Sequence, residues 1–505
     1  MSRLIHSLLS SVPQLRWIIL ILSIILWGIP STLATAQTVP PPLLQAAFPR
    51  ISDSNPHNFV ALGGLIYFTA SDPQHGLELW RTDGTEAGTR IVRDIQAGVR
   101  GSGIWQLTPY NNQLVFVADD GRSGRELWIS DGTERGTRLL ADIHAGAGSS
   151  HPLGLAEMGG KLYFSADDGQ HGRELWVTDG TERGTRMVRD LAPGNRSSDP
   201  RELVGAGDTL YFVADDGTSG VELWRSDGSE RGTRMVRDVA LGSASSTPAG
   251  LTVMGDGLYF VANDGGTGYE LWRSDGTEAG TYLVRDIASG MFGSSPAQLT
   301  PIGDTLFFVA NDGLGGAELW RSDGTELGTY LVRDIYPGAV SSGVWYLTAV
   351  GDTLVFTASD GVHGYELWRS DGTAAGTQMI LDIHPGAADA FPSFFAPQFT
   401  LGQAVLYFVA DDGFNGRELW RTDGTAAGTS LVHAIRAGRE GSAPEALFEL
   451  NGVLYFAADD GRNGRELWRT DGTPAATRMV RDINAQTLPA NTSAVPTTPT
   501  TPTTR

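Results

Sequence analysis

"GRELWRTDGT" runs from Gly416 to Thr425, and the same ten residues return from Gly464 to Thr473. Seven looser copies come before them, so the tryptophan of the motif stands at Trp80, Trp128, Trp176, Trp224, Trp272, Trp320, Trp368, Trp420 and Trp468. Seven of the eight intervals are 48 residues and the other is 52. A fixed period of this length marks a solenoid, a propeller or an array. The chain length of 505 residues therefore says little about domain number until the repeats are counted.

One period reads as four short strands. "TLYFVADDG" (Thr209–Gly217) is rich in branched and aromatic residues and ends in an Asp-Gly turn. "VELWRSDG" (Val221–Gly228) closes in the same way, and "TRMVRDV" (Thr233–Val239) runs into a Gly/Ser/Pro loop. A fourth segment, such as "QLTPIG" (Gln298–Gly303), precedes the next aromatic strand. No stretch of the period has helical spacing. Four strands in about 48 residues fit one blade of a β-propeller. A parallel β-helix, the competing architecture, usually has shorter coils and lacks paired hairpin turns. From Phe59 to Ile483 the chain holds nine complete sets. The expectation is an all-β chain forming a single propeller of nine blades, with eight, the usual upper bound, as the alternative.

Residues common to all nine copies solve a problem that every blade shares. Relative to each Trp these are Asp eight before, Gly four before, Glu two before, Asp three after, Gly four after and Thr nine after. The Asp-Gly pairs close hairpins, because aspartate accepts from amides just ahead of it and glycine tolerates positive φ. In "ELW" the side chains alternate, so Glu222 and Trp224 face one neighbouring blade and Leu223 the other. Each tryptophan is then an inter-blade wedge, its burial contributing on the order of 4 to 6 kcal/mol from apolar area. The glutamate beside it needs a partner. The arginine of "VRD" is present in only six copies, which favours backbone amides.

The flanks read differently. Residues 1–36 carry Arg3, Arg16, the apolar run Trp17–Ile29 and small residues ahead of a cleavage site after Ala36, the pattern of a signal peptide. Thirteen apolar residues are short for a bilayer span, which needs about 20. Residues 37–58 form a Pro-rich linker and 487–505 a Thr/Pro tail too poor in apolar residues to pack. The propeller occupies 59–486 on this reading. Export implies a secreted or cell-surface location, with no membrane contact after cleavage.

Charge and cysteine content exclude some functions. The net charge is -21; residues 1–36 hold two arginines and no carboxylate, so the mature chain stands at -23. That argues against nucleic acid or an anionic membrane as partner. Cysteine is absent, which removes disulfides, thiol nucleophiles and thiolate metal sites. Much of the acidity is scaffold: three carboxylates in nine copies, with an aspartate fourteen after Trp in eight, account for 35 of 58 acids.

The repeated "ELWRSDGT" followed by "GT", covering about Phe59 to Ile483, resembles the bacterial ELWxxDGT-repeat proteins. That resemblance implies an exported propeller, and brings no activity or catalytic residues with it.

"DDGRNGRE" sets Asp459, Asp460 and Glu466 near one turn. Calcium is a weak candidate there, because adjacent aspartates lack the alternate spacing of a calcium loop. No HExxH, GxSxG, P-loop or dinucleotide fingerprint is present. The linker "HPGAADAFPSFFAPQ" is longer by four residues and brings in Phe391, Phe394 and Phe395; Trp105, Trp345 and Tyr346 occupy equivalent linkers. These aromatics either anchor a ligand or plug the central channel. The leading functional expectation is a non-enzymatic exported scaffold that binds an extracellular protein or glycan through variable loops on one face. The alternatives are a carboxylate-based extracellular hydrolase or lyase, and a calcium-stiffened structural protein.

Overall fold

Alternating apolar residues, punctuated by Asp-Gly turns, give short antiparallel strands rather than helices, and a computed structural model shows 36 of them arranged as nine four-stranded sheets. The structure describes residues 53–400 and 403–485. The segment expected to be a signal peptide, most of the Pro-rich linker and the Thr/Pro tail lie outside these residues. The blades span 57–93, 105–141, 153–189, 201–237, 249–285, 297–333, 345–381, 393–433 and 445–481. The ring is a nine-bladed β-propeller.

Every blade is built from four consecutive strands in chain order. In blade 4 these are Arg201–Ala206, Thr209–Asp215, Val221–Ser226 and Arg234–Arg237. First strands of successive blades contact one another around the ring, and that of blade 9, Glu445–Leu450, contacts that of blade 1, His57–Leu62. First strands therefore lie innermost. The second residue of each is left-handed, as at Gln106, Tyr346 and Phe394, and makes a bulge where the register shifts.

The core is divided into inter-blade layers. One layer joins Leu223 and Val236 of blade 4 to Leu258, Phe260 and Trp272 of blade 5. Trp224 faces the other way, onto Tyr163 and Leu175 of blade 3. Eight of the nine tryptophans are 4–9% exposed, and Trp176 is partly buried. The wedge expectation for the indoles holds. All nine indole Nε1–H groups are buried without a protein acceptor, so apolar contact rather than hydrogen bonding holds them.

Turn chemistry follows the sequence reading. Asp227 Oδ1 accepts from Ser229 N at 2.8 Å, and Thr233 Oγ1 donates back to Ser229 O at 2.7 Å. Gly220 has φ of 70°, and a Cβ there would lie 2.1 Å from Ala244 O of the outgoing linker, so only glycine allows this approach. The "VRD" arginine is not the partner of the buried glutamate. It clamps the next blade instead, as Arg189 Nη1 does on Thr233 O at 2.6 Å.

Ring closure repeats the other junctions. Ser54 Oγ donates to Glu466 Oε2 of blade 9 at 2.7 Å, Arg465 N donates to Asp53 Oδ1 at 2.8 Å, and Arg481 Nη1 donates to Thr89 O of blade 1. Phe59 and Phe68 pack with Tyr455 and Leu467 across the same seam. The ring thus takes in Asp53 to Asn58, which the sequence reading assigned to the linker, because Ser54 is the eighth copy of a repeated serine–glutamate contact and lies ahead of the first strand.

Candidate functional site

The linkers between blades and the hairpins joining second to third strands share one face. Beneath it, each motif glutamate is sequestered at 0–1% exposure. Glu174 shows the arrangement. Its carboxylate accepts from Leu191 N at 3.0 Å, Ser198 N at 3.0 Å and Ser198 Oγ at 2.6 Å. Backbone amides are the common partner, as expected. The serine hydroxyl was missed, although a serine 22 residues after the tryptophan recurs in seven copies and was open to reading. Burial pushes every one of these carboxyls above the usual range, Glu78 and Glu466 to about 7. Blade 7 has Ala390 where the serine belongs. There Glu366 keeps Ile383 N at 2.8 Å and His384 N at 3.3 Å, and is pushed up to about 8.

Above the glutamates, the second aspartate of each "DDG"-type hairpin orders the turn. Asp460 Oδ1 accepts from Arg462 N and Asn463 N, both at 2.8 Å, and Oδ2 accepts from Asn463 Nδ2 at 2.8 Å. In blades 1, 3 and 7 the asparagine is replaced by histidine. His75, His171 and His363 place Nδ1 at 2.7, 2.7 and 2.8 Å from Oδ2 of Asp72, Asp168 and Asp360. Each aspartate is fixed by two backbone amides. The imidazole side chains are 32–40% exposed, and the carboxylate bonded to each raises its pKa above the ordinary 6.5. One nitrogen does the work that an amide does elsewhere, and Nε2 is surplus to the turn. The three dyads sit on blades that are not adjacent, so each acts alone.

Among the candidate metal residues, Glu466 is sealed against Ser54 and Ile483 N, and Asp460 is taken up by its turn. Asp459 accepts from Gly461 N and from Arg436 Nη1 at 2.9 Å. The three are not brought together around a common point. Among the described residues no group of three or more His, Asp or Glu is placed to hold a metal ion.

The aromatic candidates are partly gathered. Phe391 and Phe394 are 49% and 46% exposed, Trp345 and Tyr346 49% and 45%. Phe391 stacks on Tyr365 with centroids 5.2 Å apart, and Phe395 packs on Tyr346 at 5.7 Å and edge-on to Phe408 at 6.0 Å. Phe395 therefore belongs to the core between blades 7 and 8. Trp105 is half-buried on blade 2, away from this group.

No protein family and no curated relative matches the sequence. No helix among the described residues is long and apolar enough to cross a membrane. Similar solved structures include a puromycin hydrolase at 16% identity and TM-score 0.36, with 72% of this chain and 59% of that one covered. Another is from a study of two prolyl endopeptidases, at 12% identity and TM-score 0.41, with 71% and 54% covered. A third is the β-propeller domain of the Trilobed protease from Pyrococcus furiosus, at 12% identity and TM-score 0.32, with 66% and 99% covered. The chain thus spans between half and three fifths of the length of the puromycin hydrolase and prolyl endopeptidase chains. At these identities the likeness is one of fold. The expectation of a non-enzymatic binding scaffold is corrected: the solved structures named here are of hydrolases and peptidases.

Proposed function

We propose that the chain is an exported hydrolase whose linker face uses imidazole–carboxylate dyads as general bases on a carboxylic ester or amide. One observation carries this reading. Asn415 and Asn463 satisfy the hairpin aspartate with a single donor, whereas His75, His171 and His363 satisfy it and leave Nε2 free. Aspartate on Nδ1 fixes the tautomer and steadies the imidazolium that forms. In the reaction, Nε2 takes a proton from water as the oxygen attacks the carbonyl carbon. The imidazolium then returns that proton to the departing alkoxide or amine. The apolar amino-terminal run and the small residues before Gln37 support export, and the recurring "ELW" text supports kinship with the ELWxxDGT-repeat proteins.

The repeat supplies its own control. In the triple variant His75→Asn, His171→Asn, His363→Asn each turn keeps the donor that blades 8 and 9 use. Wild type is expected to hydrolyse p-nitrophenyl esters or peptidyl p-nitroanilides at least about 10-fold faster than free imidazole at equal concentration. Its rate rises with pH as the imidazoles lose their protons above 6.5, and the triple variant loses the rate with its melting temperature unchanged. Equal rates in the two proteins would refute the assignment.

A further inference from the structure

Blade 6 lacks a side chain that every other blade has. Three residues before each tryptophan, the third strand carries arginine in four blades, tyrosine in two, and leucine or valine in two; only blade 6 has alanine, Ala317. The larger residues fill a slot between the incoming linker and the end of the second strand. In blade 3, Arg173 Nη1 donates there to His151 O at 2.7 Å and Ser165 O at 3.3 Å. In blade 5, the hydroxyl of Tyr269 meets Thr247 Oγ1 at 2.7 Å in the same place.

Blade 6 leaves the slot open. A cavity of about 470 Å³ is lined by Ala317, Ser295, Val309 and Asn311, with Phe292 at its rim. Val309 is 9% exposed and its blade 5 equivalent Val261 7%, whereas Ser165, Val213 and Val409 are fully buried, so blades 5 and 6 share a looser wall at this point. The hairpin above adds room, because Gly315 stands where the other blades have Ser, Thr, Asn or His, and a Cβ there would meet nothing closer than 3.9 Å.

The lining indicates what fits. The four arginine blades each end their second strand with an aspartate, Asp119, Asp167, Asp411 or Asp459, as the valine blade does with Asp215, and the charges of Asp167 and Asp411 favour the ionised Arg173 and Arg417. Blade 6 has the neutral Asn311 instead, matching Asn263 of blade 5, one of the two tyrosine blades (the other, blade 7, has the neutral Ser359), and Ser295 supplies a hydroxyl where Thr247 does. Blades 5 and 6 thus share the walls, and only blade 5 holds the ring. We infer that the slot at Ala317 is a binding site for a 4-hydroxyphenyl group, taken from a free phenol or a tyrosine side chain. Its hydroxyl bonds Ser295 Oγ and its ring lies over Val309 beneath Phe292. Phe292, 95% exposed, has no role in the core that would account for it. An apolar-walled space left by a missing side chain binds small molecules of the missing shape.

Calorimetric titration with 4-methylphenol tests the site in the full-length protein. Wild type is expected to bind one equivalent. Ala317→Tyr, which supplies the ring internally, abolishes binding; Ala317→Val, which copies blade 4, weakens it if the tyrosine variant does not fold. Tyr269→Ala opens a second slot and doubles the stoichiometry. 4-Methylanisole, which has no hydroxyl to donate, binds about 5-fold more weakly. Binding of N-acetyltyrosinamide as well as 4-methylphenol points to a peptide source, and binding of the phenol alone to a small molecule. Unchanged binding in Ala317→Tyr, a single site in Tyr269→Ala, or preference for methylguanidinium overturns the assignment.

Discussion

Restoring the missing serine in blade 7, by Ala390→Ser, should stabilise the ring, and more at alkaline than at acid pH. Ala390 is fully buried and its amide bonds Tyr365 O at 3.1 Å, as the amide of Ser198 bonds Arg173 O, so the backbone already holds the serine position. The new hydroxyl would lie against the Glu366 carboxylate, where Ser198 Oγ stands 2.6 Å from Glu174. Burial raises Glu366 to about 8, while the serine-partnered Glu78 and Glu466 stand at about 7. A group whose folded pKa exceeds its unfolded value binds more protons when folded, so stability is full below the unfolded value of about 4.5 and falls as pH rises toward the folded pKa. With serine in place that fall ends sooner, because the hydroxyl favours the carboxylate. The difference is on the order of 1 kcal/mol, absent in acid and growing as pH rises through the range in which Glu366 loses its proton. A pH-independent gain of about 1 kcal/mol from the added hydrogen bond accompanies it. Guanidinium unfolding followed by tryptophan fluorescence at pH 6 and pH 9 measures both parts. A variant less stable than wild type at pH 9, or one whose advantage does not grow from pH 6 to pH 9, would refute the reasoning.

Two further substitutions probe the junctions by the same denaturation assay. Trp224→Ala, which empties the layer between blades 3 and 4, should cost about 3–5 kcal/mol, whereas Trp224→Phe should cost about 1–2 because the indole N–H has no acceptor to lose. Equal losses for the two would mean that the indole nitrogen matters. Ser54→Ala removes the hydroxyl from Glu466 at the seam and should cost about 1–3 kcal/mol, despite lying ahead of the first strand. An unaffected unfolding midpoint would show the clasp to be idle.

The architecture was legible because repetition substitutes for an alignment within one chain: nine tryptophans at a fixed period set blade number, and the Asp-Gly pairs set the turns. Reading each strand alone would have missed the ring. The partner of the motif glutamate was only half legible. Amides were favoured because "VRD" loses its arginine in three copies, yet the serine 22 residues on went unread and Arg189 proved to clamp the neighbouring blade. Function was less legible: the inserted phenylalanines stand out in the sequence, and of these Phe395 is partly buried against the layer between blades 7 and 8 while Phe391 and Phe394 stay exposed. The informative residues were departures within a repeated column, such as Ala390, Ala317 and His171. Such departures carry meaning only once the structure says what the column touches.

The clasp of Ser54 on Glu466 has a topological consequence. Since that closing junction is made by the same groups as most of the covalently continuous ones, the wheel has no privileged origin, and an opening elsewhere in the ring would leave the same set of contacts. Joining the two ends and opening the chain in another linker should yield a circular permutant with an indistinguishable rim.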